Sequence, residues 1–317
     1  TPPAAYSGGA TYALGDTCST GTAGGAIAVW ESLQAANTGH SPPASPTWWK
    51  GIGETWAAWD GGATYAADDR VLLASTHRVY QSVQGANTNH NPATDDGTWW
   101  VEAGPTSRWA LLDACIGTVT ARPEAIDMKV DPGLATCCAL LDLLGTEARI
   151  VVEDSPGGNV VYDETFDLSD AAILLDWWMY LFDPIENLKT LIVEDLIPYQ
   201  DARVRVLVSA AGLAECGTLI LGNAVEIGET VYAPRIGIID YSRKQTDEFG
   251  ATSVVERAYA RRMELDAIIK ADSVDYAAQR LAEVRAVPCL WLAGGRYGSL
   301  VIYGWVRDWG ITIAYPT

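Results

Sequence analysis

The sequence has few basic side chains, few histidines and no long apolar run. Its 317 residues include 21 Lys and Arg against 40 Asp and Glu, which gives a formal net charge of −19. This balance disfavours nucleic-acid binding, because the phosphate backbone requires a basic patch. No run of about 18 apolar residues and no signal-peptide pattern occurs, so the sequence predicts neither a membrane-spanning helix nor a secretion route.

Cysteine is present without the spacing of a redox or zinc motif. No CxxC pair occurs, and most of the thiols fall inside apolar strands. This pattern predicts buried free thiols of a protein assembled in a reducing cytoplasm rather than a disulfide framework or a metal site. The six positions are Cys18, Cys115, Cys137, Cys138, Cys216 and Cys289.

Residue patterns that support catalysis are missing as well. An enzyme needs a nucleophile with a base, two carboxylates across a cleft, or a metal set. No HExxH, nucleophile elbow or phosphate-binding glycine loop occurs. His40 and His90 lie beside Asn and Pro at equivalent repeat positions, which favours turn-stabilising hydrogen bonds over catalysis. The sequence therefore predicts no enzymatic activity, no metal and no cofactor.

What the sequence has is a succession of short apolar runs separated by turn signals, with 13 Trp and 14 Tyr but only 3 Phe. Between residues 106 and 229 this pattern predicts a jelly-roll-like β-sandwich. A strand in which polar and apolar residues alternate buries one of its faces. The predicted strands are 108–113, 125–130, 136–143, 148–154, 159–168, 177–182, 190–195, 203–209 and 218–225.

The first hundred residues contain a tandem repeat. Ala5-Tyr-Ser-Gly-Gly-Ala-Thr-Tyr-Ala-Leu-Gly-Asp16 returns as Ala58-Trp-Asp-Gly-Gly-Ala-Thr-Tyr-Ala-Ala-Asp-Asp69, displaced by 53 residues, and Trp48-Trp49 returns as Trp99-Trp100, displaced by 51. Two small β modules are therefore predicted, at residues 1–53 and 54–105. One ring of each Trp pair should point inward and the other outward, because successive strand residues face opposite sides.

The order Tyr, Gly-Asp, Tyr or Trp, Asn, Pro and Trp in each repeat resembles the small chitin- and cellulose-binding modules of bacterial chitinases. That resemblance implies a glycan-binding surface. Its sugar platforms would be Trp48 or Trp49 and Trp99 or Trp100, with Asn37 and Asn87 as polar partners. A structural spacer or contact module is the alternative interpretation of both repeats.

Two longer segments resemble tail proteins of siphophages and their prophages, which are usually described as carbohydrate-binding. They are Thr98-Trp-Trp-Val-Glu-Ala-Gly-Pro-Thr-Ser-Arg-Trp-Ala-Leu-Leu-Asp113 and Val231-Tyr-Ala-Pro-Arg-Ile-Gly-Ile-Ile-Asp-Tyr-Ser-Arg-Lys-Gln-Thr-Asp-Glu-Phe-Gly250. The resemblance covers nearly the whole chain. It implies a virion component near the tail tip or fibres, assembled in the bacterial host cytoplasm.

The last predicted domain, residues 230–317, is a small α+β unit. Strands are predicted at 231–243, 253–263, 289–292 and 300–315, with a turn at Asp247-Glu-Phe-Gly250. Asp272 or Ser273 is predicted to cap a helix that runs to Ala286 and ends before Pro288. The unit has 11 basic and 10 acidic side chains, whereas residues 106–229 have 7 and 21.

This charge contrast predicts that the last domain docks on something acidic, such as the sandwich of a neighbouring copy. An acidic surface that only keeps the protein soluble is the alternative. The predicted subunit interface consists of five arginines, for which a solvated face balanced by nearby Glu is the other interpretation. They are Arg257, Arg261, Arg262, Arg280 and Arg285.

Three functions remain open on the sequence alone. The first is a structural component of a phage tail whose partners are other copies, other tail proteins and host polysaccharide. The second is a glycan-binding adhesin that recognises the host surface. The third, least favoured, is an enzyme that trims surface polysaccharide with acids at the ends of the sandwich strands.

Overall fold

A computed structural model of the chain describes residues 2–22, 24–113, 115, 117–169, 177–182, 187–232, 234–246, 252–294 and 298–313. The described residues confirm a mainly β fold of small antiparallel sheets, with two short α-helices among them. The chain divides into two compact units, residues 1–223 and 224–317. Among the described residues, neither helix has the length and apolar run that crossing a bilayer takes.

The two repeats have the same strand arrangement. The first consists of β1 Thr11–Tyr12, β2 Thr17–Thr20, β3 Ala26–Ser32, β4 Asn37–Thr38 and β5 Trp49–Trp56. The second consists of β6 Thr64–Tyr65, β7 Arg70–Leu73, β8 Arg78–Ser82, β9 Asn87–Thr88 and β10 Trp100–Pro105. Each forms one three-stranded sheet, β2-β3-β5 or β7-β8-β10, and one strand pair, β1-β4 or β6-β9.

The repeats also share backbone details that follow from equivalent residues. The carboxylates of Asp16 and Asp69 each accept the backbone N–H three residues earlier, at 2.7 and 2.8 Å. Gly53 and Gly104 each lie at a break in strand register, with φ of 135° and 131°. Only glycine adopts such a φ without strain, so the bulge recurs because the glycine recurs.

Side-chain contacts join the modules to each other and to the sandwich. The predicted module boundary between residues 53 and 54 falls inside β5, which belongs to the first module. The Arg70 guanidinium lies over the ring of Trp56 at the end of β5, 5.3 Å from its centroid, and so links the second module to the first. Arg122 of the sandwich donates to Glu31 of the first module at 2.8 Å. These contacts place both modules and the sandwich in the same compact unit.

The described residues between 120 and 222 form two facing sheets around one apolar core. Their orders are β11-β16-β13-β14 and β15-β12-β17, and both contribute to a core that includes Leu140, Ile150 and Val208. A complete jelly roll has typically eight strands, and the described residues supply seven. They are β11 Thr120–Val130, β12 Cys137–Leu141, β13 Glu147–Glu153, β14 Val160–Asp167, β15 Thr190–Val193, β16 Arg203–Cys216 and β17 Thr218–Gly222.

The four-stranded sheet has one apolar and one charged face, as the alternation in Arg203-Val-Arg-Val-Leu-Val predicts. Val204, Val206 and Val208 are buried. On the opposite face Arg203 pairs with Asp131 and Arg205 with Asp127, each through two hydrogen bonds of 2.6 to 2.8 Å. This face is therefore a solvent-exposed ladder of ion pairs.

Two predicted strands of this domain are wrong. Residues 108–113 contain a 3-10 turn, Ala110–Leu112, because Leu111 enters the core from a turn and its N–H donates to Thr120 Oγ1 at 3.1 Å. Trp177–Phe182 is helix α1. A continuous apolar run has no period that separates strand from helix, and a helix satisfies its own backbone groups without a neighbouring strand.

The second unit is built from strand pairs and helix α2, Val274–Glu283. Ala277 and Leu281 are buried, whereas Ser273 at the N-cap makes no side-chain capping hydrogen bond, and the helix ends before the predicted Ala286. The pairs are β18-β23, β19-β22, β20-β21 and β24-β25. Their strands are β18 Glu229–Thr230, β19 Arg235–Asp240, β20 Arg243–Thr246, β21 Thr252–Val255, β22 Tyr259–Glu264, β23 Ala267–Ile268, β24 Cys289–Leu292 and β25 Val301–Gly304.

Several predicted strands of this unit are shorter or interrupted in the structure. Each arm of the predicted hairpin is broken into two strands, because the chain leaves the ladder at Tyr241-Ser242 and at residues 256–258. The predicted strand at 300–315 is reduced to β25 within the described residues. The turn predicted at Asp247 to Gly250 lies outside the described residues.

Candidate functional site

Each module buries one tryptophan of its pair, as the strand alternation predicts. Trp49 and Trp100 are only 2% and 3% exposed. Their Nε1 atoms donate to the backbone carbonyls of His40 and His90 at 2.7 and 2.8 Å. These two rings hold the module cores together, so they do not form the sugar platforms predicted for them.

The other tryptophan of each pair is half-buried and lies against a histidine. The rings of Trp48 and His40 are stacked with centroids 3.9 Å apart and planes within 10°. Trp99 and His90 repeat this geometry at 3.8 Å and 9°. Because one face of each indole is covered by imidazole, only the remaining surface of Trp48 and Trp99 is open to a ligand.

The two asparagines predicted as polar partners of a glycan are structural instead. Asn37 and Asn87 are fully buried, with no exposed surface. Asn37 Nδ2 donates to Ser32 Oγ at 2.9 Å, and its Oδ1 lies 3.1 Å from Nδ1 of His40. The second module repeats both contacts. A side chain enclosed in this way cannot meet a glycan, so this prediction is wrong.

A third histidine–tryptophan stack lies where the second module meets the sandwich. His77 and Trp109 are 3.9 Å apart with planes within 13°. Beside them is a pocket of about 180 Å³ lined in part by Arg78 and Asp113. Small-molecule sites usually span about 300–1,000 Å³, so this pocket has room for a single ring-sized group.

Sequence reasoning predicted none of the three stacks. The repeat shows that the spacing of His40 and Trp48 recurs, which is a signal that could have suggested a contact, whereas His77 and Trp109 belong to no repeated pair. His77 lies in the β7–β8 turn with a φ of 57°, and the backbone N–H of Thr106 donates to its carbonyl at 3.0 Å. The two rings meet only because the segment that follows β10, from Thr106 to Trp109, folds back on the β7–β8 turn.

The five arginines predicted at a subunit interface occupy two separate elements. Arg261 and Arg262 lie on β22 with Arg257 just before it, and all three are exposed. Arg280 lies on α2, where it donates to Glu283 at 2.7 Å and covers the ring of Tyr276 at 5.2 Å. Arg285 follows that helix and is exposed.

The strand pairs β19-β22 and β20-β21 form an exposed antiparallel ribbon, residues 235–246 and 252–264, called the ribbon below. In the β19-β22 pair, Arg235 lies opposite Glu264 at one end and Asp240 lies opposite Tyr259 at the other. All six residues of β19 are exposed. A two-stranded ribbon is marginally stable in water on its own. Packing against another surface would stabilise it, so an exposed ribbon of this kind is typical of a contact surface.

In the part of the chain that the structure describes, no group of three or more His, Cys, Asp or Glu side chains could hold a metal ion. Glu153 and Asp154 accept hydrogen bonds from the following turn. All six cysteines are free, as predicted; Cys18, Cys138 and Cys216 are buried, whereas Cys115 is exposed.

The protein is modular and mainly β, and it exposes aromatic and basic side chains. Comparison of the chain with protein families, with curated proteins and with solved structures gives no match.

Proposed function

We propose that this chain is a structural component of a bacteriophage tail, located in the virion near the tail tip or fibres. The ribbon is the observation that supports this proposal most directly. Its Ile236 and Ile238 side chains are 55% and 65% exposed, and apolar patches of this kind mark sites of protein–protein contact. The resemblance of residues 98–113 and 231–250 to siphophage tail proteins supplies the biological setting.

The particle itself tests this proposal. Peptides of this chain should be recovered by mass spectrometry from purified virions of the phage or induced prophage that encodes it. An antibody against the chain should label the distal part of the tail in electron micrographs. Particles that contain the known tail proteins but lack this chain would contradict the proposal.

Contact with host glycan is the second candidate function, and the repeated stacks of His40 with Trp48 and His90 with Trp99 favour it. A half-exposed indole can receive the C–H face of a sugar ring, and two equivalent sites on one chain would add avidity. Binding to host polysaccharide should weaken in Trp48→Ala and Trp99→Ala, and more in the double variant. Unchanged binding in the double variant excludes this role.

The proposal includes no catalytic step. Incubation of the protein with host polysaccharide should leave the number of reducing ends unchanged. An increase that disappears with heat-denatured protein would require an active site and would overturn this part of the proposal.

A further inference from the structure

A series of hydrogen bonds in the first module fixes which ring nitrogen of His40 carries the proton. It starts at the Ser32 hydroxyl, which donates to the backbone carbonyl of Gln34 at 2.9 Å. A carbonyl oxygen only accepts, and a hydroxyl has a single proton to donate. Ser32 Oγ is therefore an acceptor towards Asn37, and the atom of Asn37 that lies 2.9 Å from it is the donor Nδ2.

The orientation of this amide determines the state of the imidazole. Nδ2 of Asn37 also donates to the carbonyl of Trp48 at 3.4 Å, so two contacts give the amide the same orientation. Its Oδ1, which only accepts, lies 3.1 Å from Nδ1 of His40. Nδ1 therefore carries the proton, and Nε2 of the neutral ring keeps a free lone pair. This series of bonds, from the Gln34 carbonyl to His40, is called the relay below.

The second module repeats the relay bond by bond. Ser82 donates to the carbonyl of Gln84 at 2.9 Å. Asn87 Nδ2 donates to Ser82 Oγ at 3.0 Å and to the carbonyl of Trp99 at 3.3 Å. Asn87 Oδ1 lies 3.0 Å from Nδ1 of His90. The same tautomer, with the proton on Nδ1, therefore occurs in both modules.

The second ring nitrogen of each histidine is open to a ligand. The two nitrogens of an imidazole lie on different edges of the ring, so Nε2 points away from the buried amide that Nδ1 contacts. Within the described part of the chain, Nε2 of His40 and of His90 has no hydrogen-bond partner and is not a buried atom. Each imidazole also lies flat against a half-buried indole. Each module thus presents a bare acceptor beside the open surface of a tryptophan.

The segments that form the two relays favour an uncharged ligand. Residues 32–49 contain no Asp, Glu, Lys or Arg, and the equivalent residues 82–100 contain only Asp95 and Asp96. Asp95 accepts three backbone N–H groups of its own turn, and Asp96 accepts the N–H and hydroxyl of Thr98. Neither segment therefore offers an unpaired charge to a ligand.

The chemistry of the open surface identifies the class of ligand. An unprotonated Nε2 needs a hydrogen-bond donor, and an indole surface favours an apolar group. A sugar ring combines the two, because it has hydroxyl groups around its edge and C–H groups on its faces.

We propose that Nε2 of His40 and of His90 accepts a hydrogen bond from a sugar hydroxyl, in two equivalent glycan sites. In each site the sugar ring contacts the open surface of the neighbouring tryptophan, Trp48 or Trp99. The buried asparagine of each module is a positioning residue, because it holds the imidazole with Nδ1 protonated and Nε2 outwards. This inference rests on the second candidate function, contact with host glycan, and adds the acceptor atom that selects the ligand.

The tautomer is measured first, on the full chain without a ligand. In a proton–nitrogen NMR correlation spectrum at about pH 8, where an ordinary histidine is neutral, His40 and His90 should both show a protonated Nδ1 and an unprotonated Nε2. Asn37→Ala should release His40 from this tautomer and leave His90 unchanged. A protonated Nε2 in the two wild-type histidines would overturn the inference.

Soluble fragments of purified host surface polysaccharide then test the contact. The Nε2 resonances of His40 and His90 should shift when the fragments are added, because their lone pairs then accept hydroxyl groups. His77 is the internal control, since it stacks on Trp109 in the same way but belongs to no relay, and its resonances should stay in place. This measurement uses the wild-type chain and does not depend on the folding of a variant.

A double variant measures the contribution of the acceptor to affinity. His40→Phe with His90→Phe keeps a flat ring beside each indole but removes both acceptors. Its apparent dissociation constant for the polysaccharide fragments should rise about tenfold, as the loss of a hydrogen bond to the ligand predicts. His77→Phe is the matched control and should bind as the wild type does. Circular dichroism confirms that each variant keeps its fold.

The outcomes distinguish a failure of this inference from a failure of the glycan role. If the wild-type chain binds the fragments while the Nε2 resonances stay in place, or if the double variant binds equally well, the glycan role stands and the acceptor role is wrong. If the wild-type chain binds no fragments, both are wrong. Neither result bears on the presence of the chain in virions, which mass spectrometry of the particles tests separately.

Discussion

The ring of His40 lies parallel to that of Trp48, with centroids 3.9 Å apart and planes within 10°. His40 also links to the buried Asn37, whose Oδ1 is 3.1 Å from its Nδ1. A half-exposed tryptophan is thus held in one orientation by an imidazole that is itself held by a buried amide. The second module contains the same arrangement, so the surface of each module depends on a hydrogen bond beneath it.

This arrangement predicts that equivalent substitutions in the two modules lower the stability of the protein equally. His40→Ala and His90→Ala should each lower the free energy of unfolding by about 1 kcal/mol, because each removes a stacked ring. Asn37→Ala should cost more, about 2 kcal/mol, since it leaves buried partners without their hydrogen bonds. Urea unfolding followed by tryptophan fluorescence measures these changes. Equal stability of Asn37→Ala and the wild type would contradict the structural role of the amide.

The glycines at the two strand bulges predict a second, purely conformational effect. A Cβ at Gly104 would meet nothing within 4 Å, but its φ of 131° strains any other residue. Gly104→Ala should therefore lower the free energy of unfolding by about 1–2 kcal/mol. Gly85→Ala is the control in the same module, because Gly85 is equally unobstructed and has no positive φ. A difference near zero between the two variants would show that the bulge relaxes.

Much of the fold is readable from the sequence, and particular residues show why. Strand alternation predicts that one tryptophan of each pair points inward, and the structure shows that the inward rings are those of Trp49 and Trp100. The alternation from Arg203 to Val208 likewise predicts the charged outer face of the sandwich. Local periodicity carries this information.

Predictions failed where the burial of a side chain or a contact between rings depends on the completed fold. Asn37 looks like a surface amide, yet Ser32, His40 and the carbonyl of Trp48 enclose it. His77 and Trp109 meet only because a linker folds back on the β7–β8 turn. No spacing rule identifies such pairs, since their geometry depends on the completed fold.

The thiols differ in accessibility, which predicts selective chemistry. Burial raises the pKa of Cys138 and Cys216 to about 12 and that of Cys18 to about 11. Only thiolates react rapidly, so these three should resist a thiol reagent at pH 8 in the native state, while the exposed Cys115 reacts first. Cys115→Ser should remove the fast phase of modification by a chromogenic disulfide. Persistence of that phase would assign it to another thiol.

The ion-pair ladder on the outer face of the sandwich predicts how stability depends on pH. Hydrogen bonds from Arg205 and Arg203 lower the pKa of Asp127 and Asp131, respectively. A carboxyl whose pKa is lowered by folding stabilises the folded state above its unfolded pKa of about 3.9 and loses this contribution as the pH falls through its folded pKa. The thermal midpoint of unfolding should therefore fall as the pH is lowered from about 5 towards 2.

The double variant Asp127→Asn, Asp131→Asn should show a smaller fall of the thermal midpoint, because its amides do not titrate. High salt should reduce the difference, since these exposed pairs are screened. Identical pH profiles for the variant and the wild type would assign acid sensitivity to carboxyls outside the ladder.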